Sequence, residues 1–114
     1  MSTVDALMTM PAKRHIVVAG EMLELGARAE DLHRECGRYI ASKKVDILLG
    51  VRGHAAAMSE EASTRGQRSE FVATPQEAGE WLAREAQGGD LILLKASRGV
   101  KLETALDKWK ELRG

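Results

Sequence analysis

Short aliphatic runs alternate along this chain with longer stretches in which apolar residues recur every three or four positions. His15-Ile16-Val17-Val18-Ala19-Gly20 is a continuous run closed by glycine, as expected of a strand buried on both faces. Asp46-Ile47-Leu48-Leu49-Gly50 predicts a second strand, Glu70-Phe71-Val72-Ala73 a third, and Asp90-Leu91-Ile92-Leu93-Leu94-Lys95 a fourth. Ala29, Leu32, Cys36, Tyr39 and Ile40 fall at helical spacing and predict a helix from Arg28 to Ser42. An alanine-rich stretch predicts a second helix from Gly53 to Arg65. Thr74 as N-cap, Pro75 at the first helical position and Glu77 as capping-box partner open the next helix. It carries Ala78, Trp81 and Leu82 and stops at Gly88-Gly89. The last helix sets Leu102, Ala105, Leu106, Trp109 and Leu112 on one stripe, and residues 2–10 predict a further short helix before the first strand.

Strands separated by helices of this length imply right-handed crossovers and a parallel sheet covered on both faces. The expected fold class is α/β, a Rossmann-like three-layer sandwich with a mainly parallel sheet. The expected strand order is 3-2-1-4, with the sheet reversing its winding beside strand 1. At 114 residues the chain has the length of a single domain, 1–114. Two Trp, one Tyr and one Phe are few, so the core must be built from Ala, Val, Ile, Leu and Met. Lys plus Arg and Asp plus Glu are equal at 17 each, which gives no general attraction to nucleic acid or anionic lipid. No apolar run approaches membrane-spanning length, and the start lacks the shape of a signal peptide. Cys36, the single cysteine, cannot form an internal disulfide, which fits a reducing cytoplasm.

Ligands of open α/β sheets bind beyond the carboxyl ends of the strands. That rule selects the loops from Gly20 to Gly26, Gly50 to His54 and Ala96 to Val100. The first holds Glu21 and Glu24 between glycines. The third places Ser97 and Arg98 just past the strongest strand, and a guanidinium fork matches a carboxylate or phosphate. A solvated turn is the competing reading of Ser97-Arg98-Gly99, as are solvated loop charges for Glu21 and Glu24. Gly20 has no second phosphate-loop glycine at the required spacing, and no Gly-Lys-Ser/Thr loop occurs. His15, His33 and His54 lack metal-ligand spacing, and Cys36 reads as a small core residue.

Two blocks carry a resemblance. Val17-Val18-Ala19-Gly20-Glu21-Met22-Leu23-Glu24-Leu25-Gly26 is followed by Leu32-His33 and Gly37, and Asp90–Lys95 runs into Ala96-Ser97-Arg98-Gly99. In order and spacing these resemble the C-terminal domain of the Mur ligase family, in the branch that adds D-alanyl-D-alanine to UDP-N-acetylmuramoyl-tripeptide. The resemblance covers nearly the whole chain. Glu21 stands where that family usually has aspartate, and Ala96 where it usually has glycine.

The resemblance implies a domain of a longer, ATP-dependent peptide-bond-forming ligase of peptidoglycan biosynthesis. ATP and Mg2+ would be bound mainly by a central domain absent here, and the UDP-substrate by an absent N-terminal domain. The family's Asp-Ser-Tyr-Asn-Ala-Asn-Pro motif would fall just before Met1, and Ser2–Leu7 resembles the segment immediately downstream of that motif. Partners would be D-alanyl-D-alanine, UDP-N-acetylmuramoyl-tripeptide and the missing central domain, with no nucleic acid or membrane. Ser97 and Arg98 would meet the dipeptide or reacting centre, and Lys95 would face the same crevice. Met22, Glu24 and Leu25 would shape the opposite wall, with Glu21 and His33 as support. No residue is expected to act as general base, and the fragment alone is expected to be inactive. The alternatives are a domain of a folylpolyglutamate or cyanophycin synthetase type ligase, and a stand-alone ligand- or protein-binding module.

Overall fold

The computed structural model describes residues 2–96 and 101–113. The chain runs α1 (Ser2–Thr9), β1 (Arg14–Gly20), α2 (Ala29–Ser42), β2 (Ile47–Val51), α3 (Ala55–Thr64), β3 (Ser69–Val72), α4 (Pro75–Glu85), β4 (Asp90–Lys95) and α5 (Glu103–Arg113), with a 3-10 turn, Gly26–Arg28, leading into α2. The strands form one sheet in the order β3-β2-β1-β4, and every neighbouring pair is parallel. Both the expected order and the expected layering are found.

Alternation along the strands splits the core into two layers. Val17, Ala19 and Leu48 face α1, α2 and α3, where they pack on Val4, Leu7, Cys36, Ile40 and Met58. Ile16, Val18, Ile47 and Leu49 face the other way onto Ala78, Trp81, Leu82 and Ala105 of α4 and α5. Gly37 sets the spacing of α2 and α3, because a Cβ there would collide with the Met58 carbonyl oxygen. Tyr39 ties α1 to α2 by donating its hydroxyl to Asp5 Oδ1 at 2.5 Å.

Thr74 Oγ1 accepts from the Glu77 N–H at 3.2 Å, capping α4 as its sequence predicts. The Glu77 carboxylate, however, accepts from the Thr74 hydroxyl, also at 3.2 Å, in place of the reciprocal backbone bond of a full capping box. At the amino ends of β1 and β4, Arg14 Nε and Nη2 donate to the two Asp90 oxygens at 2.8 and 2.7 Å. Arg14 Nη2 also donates to the Glu85 carbonyl at 2.9 Å, and the Gln87 N–H donates to Asp90 Oδ2 at 2.8 Å. This clamp fastens the end of α4 to the sheet, at the edge opposite the loops selected from the sequence.

Candidate functional site

Strand β1 has β2 on one side and β4 on the other, so the sheet winds in opposite senses from it. The carboxyl ends of β1 and β4 therefore border a crevice. A pocket of about 160 Å³ opens there. Met22, Cys36 and Met58 contribute its apolar floor, and Ala19, Gly20 and Ala96 its backbone walls. Lys95 also lines it; paired with Ala19 in the sheet, it lies on the same face as Leu91 and Leu93, which pack on the α1–α3 layer. The Lys95 ammonium donates to Thr3 Oγ1 at 3.4 Å at an exposed position, and among the described residues no carboxylate pairs with it. Burial in this apolar floor pushes the Cys36 thiol up to about 11, against a smaller opposing pull from the Lys95 charge. Its nucleophilic thiolate is correspondingly scarce near neutral pH.

The loop after β1 is held from two sides. From α2, the fully buried His33 ring accepts from the Met22 N–H through Nε2 at 2.9 Å. Its Nδ1 lies 2.6 Å from the Ala29 carbonyl. A carbonyl can only accept, so these contacts select the Nδ1–H tautomer. From the loop after β2, the His54 N–H donates to Glu21 Oε2 at 2.9 Å, with His54 Nδ1 at 3.1 Å and Arg52 Nε 3.8 Å from Oε1. Partial burial opposes ionisation of Glu21, but the His54 N–H and ring and the Arg52 charge outweigh it, holding the carboxyl below its usual value. Gly53, at φ +50°, leaves room for this carboxylate, which would overlap any Cβ placed there. The His33 and His54 rings lie 5.6 Å apart, joining the two anchors.

Of the residues singled out from the sequence, Met22 and Lys95 meet at the pocket. Leu25 is half-buried nearby in the chain, while Glu24 is exposed and takes φ +63°. His33 and Glu21 anchor the loop from opposite sides. Ser97 and Arg98 lie outside the described residues. Sequence reasoning missed Arg52, His54 and Met58. The Gly50–His54 loop was legible as a strand-end loop, but its contact with Glu21 spans 33 positions and leaves no local signal. Among the described residues no three His, Cys, Asp or Glu side chains converge as metal ligands. None of the described helices is long and apolar enough to cross a membrane.

The family described as Mur ligase, glutamate ligase domain, matches residues 1–98. A UDP-N-acetylmuramoyl-tripeptide–D-alanyl-D-alanine ligase of Bacillus subtilis is 38% identical over 93 residues, covering 79% of this chain and 20% of that protein. The Mycobacterium leprae enzyme of the same name is 34% identical over 103 residues, covering 84% of this chain and 20% of its own. The chain thus spans about a fifth of the length of these relatives. MurF ligase from Thermotoga maritima, in a crystal structure in complex with ADP, matches 97% of this chain and 25% of its own, with a TM-score of 0.75 and 26% identity. MurF from Acinetobacter baumannii shares the fold at a TM-score of 0.84 and 24% identity, covering 96% of this chain and 25% of its own. With most of its length matched by the family and its fold shared with solved members, the chain belongs to the Mur ligase family.

Proposed function

We propose that this chain is the acceptor-gripping C-terminal domain of a cytoplasmic ligase that joins D-alanyl-D-alanine to UDP-N-acetylmuramoyl-tripeptide. One observation carries the reading. The Met22–Gly26 segment leaves β1 and Lys95-Ala96 ends β4, and the parallel pairing of these strands brings Met22 and Lys95 to one pocket; in the sequence Ser97 and Arg98 follow directly.

In this reaction the terminal carboxylate of the tripeptide takes the γ-phosphoryl group of ATP, releasing ADP and leaving an acyl phosphate. The dipeptide amine attacks the acyl carbon. The tetrahedral intermediate expels phosphate, the nitrogen gives up its proton and a peptide bond remains. ATP, magnesium and the UDP-substrate belong mainly to the central and N-terminal domains of the ligase, outside this chain. The present domain supplies orientation, which turns a bimolecular attack into an effectively unimolecular one, and a wall that keeps water from the acyl phosphate. Arg98 and Ser97 grip the dipeptide, Lys95 adds charge from the same strand end, and Met22, Glu24 and Leu25 form the facing wall. His33 and Glu21 hold that wall in place through their contacts with the Met22 and His54 amides.

Kinetics of the full-length ligase test this. A charge-assisted bond to the dipeptide carboxylate is worth ~1.5–3 kcal/mol, so Arg98→Ala should raise the KM for D-alanyl-D-alanine roughly tenfold to a hundredfold. Thermal stability should barely change, and Arg98→Lys should recover only part of the loss because it lacks the planar fork. Wild-type kinetics at limiting dipeptide, with a lowered melting temperature, would instead make Arg98 a structural residue. The 114-residue chain alone should release no phosphate from Mg-ATP; steady release would overturn the reading of it as one domain of the ligase.

A further inference from the structure

We infer that His33 is an acid-released anchor of the loop after β1: the ring holds the Met22 amide only while it is neutral, and gaining a proton frees that loop and weakens the grip on the acceptor. This rests on the function proposed above and adds a regulation of the same site, by a side chain that does not line the pocket.

The case is one of donors and acceptors. At Nδ1 the ring donates to the Ala29 carbonyl, 2.6 Å away, which can only accept. At Nε2 it accepts from the Met22 N–H at 2.9 Å, which can only donate. The neutral Nδ1–H tautomer satisfies both partners, whereas the imidazolium, a donor at both nitrogens, satisfies only the first. A proton on Nε2 sets two N–H groups against each other, so the Met22 amide has to leave. His33 is wholly buried, and solvent cannot take over the lost bond unless the loop moves.

The charged and titratable neighbours supply no replacement. From the loop before α3, the His54 ring lies 5.6 Å from the His33 ring. From the end of β1, the Glu21 carboxylate is already engaged by the His54 N–H and ring and by Arg52. On α2 itself Cys36 is one turn on, and Glu30 pairs with Arg34 at 3.3 Å. Lys95, from β4, acts on Cys36 as a positive charge. The two anchors of the loop therefore answer acid in opposite ways. A cationic His54 keeps its hold on Glu21, whereas a cationic His33 releases Met22. Beyond Met22 the chain carries Glu24 at φ +63° and Gly26 at φ +60°, and a non-glycine residue keeps such a backbone only where its surroundings constrain it. Release is thus local to Met22 and the residues after it, and Met22 lines the pocket.

Two measurements test the inference. In the nitrogen-15-labelled 114-residue chain, NMR follows the His33 ring and the Met22 amide from about pH 8 to about pH 5, the span across which histidines change charge. At the upper end Nε2 should carry no proton. On acidification the Met22 amide signal should move in one step with the His33 ring nitrogens, and its hydrogen exchange should speed up roughly tenfold relative to the core amide of Ile40. A ring protonated at Nε2 at the upper end, a ring that stays neutral until the domain unfolds, or a Met22 amide that ignores the ring would each overturn it. In the full-length ligase, the anchored loop both binds the dipeptide and excludes the proton. The KM for D-alanyl-D-alanine should therefore rise as pH falls, by up to about tenfold per pH unit for one proton, with kcat affected far less. His33→Gln offers Oε1 in place of Nε2 and does not titrate. The ratio of its KM to that of wild type should fall with pH, and the titration of the dipeptide's own amine cancels because both enzymes share it. A constant ratio in a folded His33→Gln ligase would also refute the inference. A wild-type ligase that joins no D-alanyl-D-alanine at any pH refutes the function proposed above and leaves the NMR result standing, so the two failures are separable.

Discussion

Trp81→Ala should cost the domain about 3–5 kcal/mol, the range seen when a fully buried large aromatic is truncated. Trp81 is 1% exposed and sits with Ile16, Leu49 and Ala105 in the layer that joins α4 and α5 to the sheet. Since domains of this size are stable by roughly 5–15 kcal/mol, the loss is about a fifth or more of the total. Urea denaturation followed by far-ultraviolet circular dichroism measures it directly. Trp81→Phe should cost markedly less, because it keeps most of the ring volume and forfeits the Nε1–H bond to Glu70 Oε1, 3.2 Å long at a partly solvated site. A loss under ~1 kcal/mol for Trp81→Ala would mean that this layer is loosely packed, contrary to its burial.

The second large effect is expected at the opposite edge from the pocket. Asp90→Ala removes the acceptor for two Arg14 bonds and for the Gln87 N–H, with the Asp90 side chain only 2% exposed. Breaking a buried pair costs about 3–5 kcal/mol; the Arg14 side chain keeps some access to solvent, which places the expected loss near ~3 kcal/mol. The bonds from Arg14 outweigh the penalty of burial and hold the Asp90 carboxyl below its ordinary value. A carboxyl depressed by folding stabilises the native state above its unfolded pKa, about 3.9, and loses that contribution as pH falls through the lower folded value. Wild type should therefore lose stability below about pH 4, and Asp90→Ala should lose less over the same window. Parallel acid titrations of the two proteins decide it; identical slopes would remove Asp90 from the acid transition.

The elements were legible wherever the pattern was both periodic and bracketed. Strand β4 is found at its expected bounds because four consecutive aliphatic residues are closed by Gly88-Gly89 before and the strand-end Lys95 after. Strand β2 runs one residue further than expected, to Val51, because Gly50 is not a terminator. Its missing side chain accommodates Ser59 and Ala55 of α3, and Val51 still pairs with Val72. Helix α3 begins two residues later than the alanine-rich run suggested, because Arg52 and Gly53 adopt positive φ and turn the chain toward Glu21. The strand-end loops could be located from topology alone, but their partners could not. Glu21 with His54, and Cys36 beside Met58, are products of how α2 and α3 are stacked, set by a glycine contact with no periodic signature.

Because Cys36 and Met58 belong at once to the α1–α3 hydrophobic layer and to the pocket lining, the shape of that pocket and folding strength are not independent traits here. Every methylene cut away to enlarge the pocket also removes buried apolar surface, at roughly 0.8 kcal/mol each before any cavity term is added. A lineage or a designer reshaping the pocket would need an offsetting gain elsewhere, and the far layer around Trp81 shares no side chain with it.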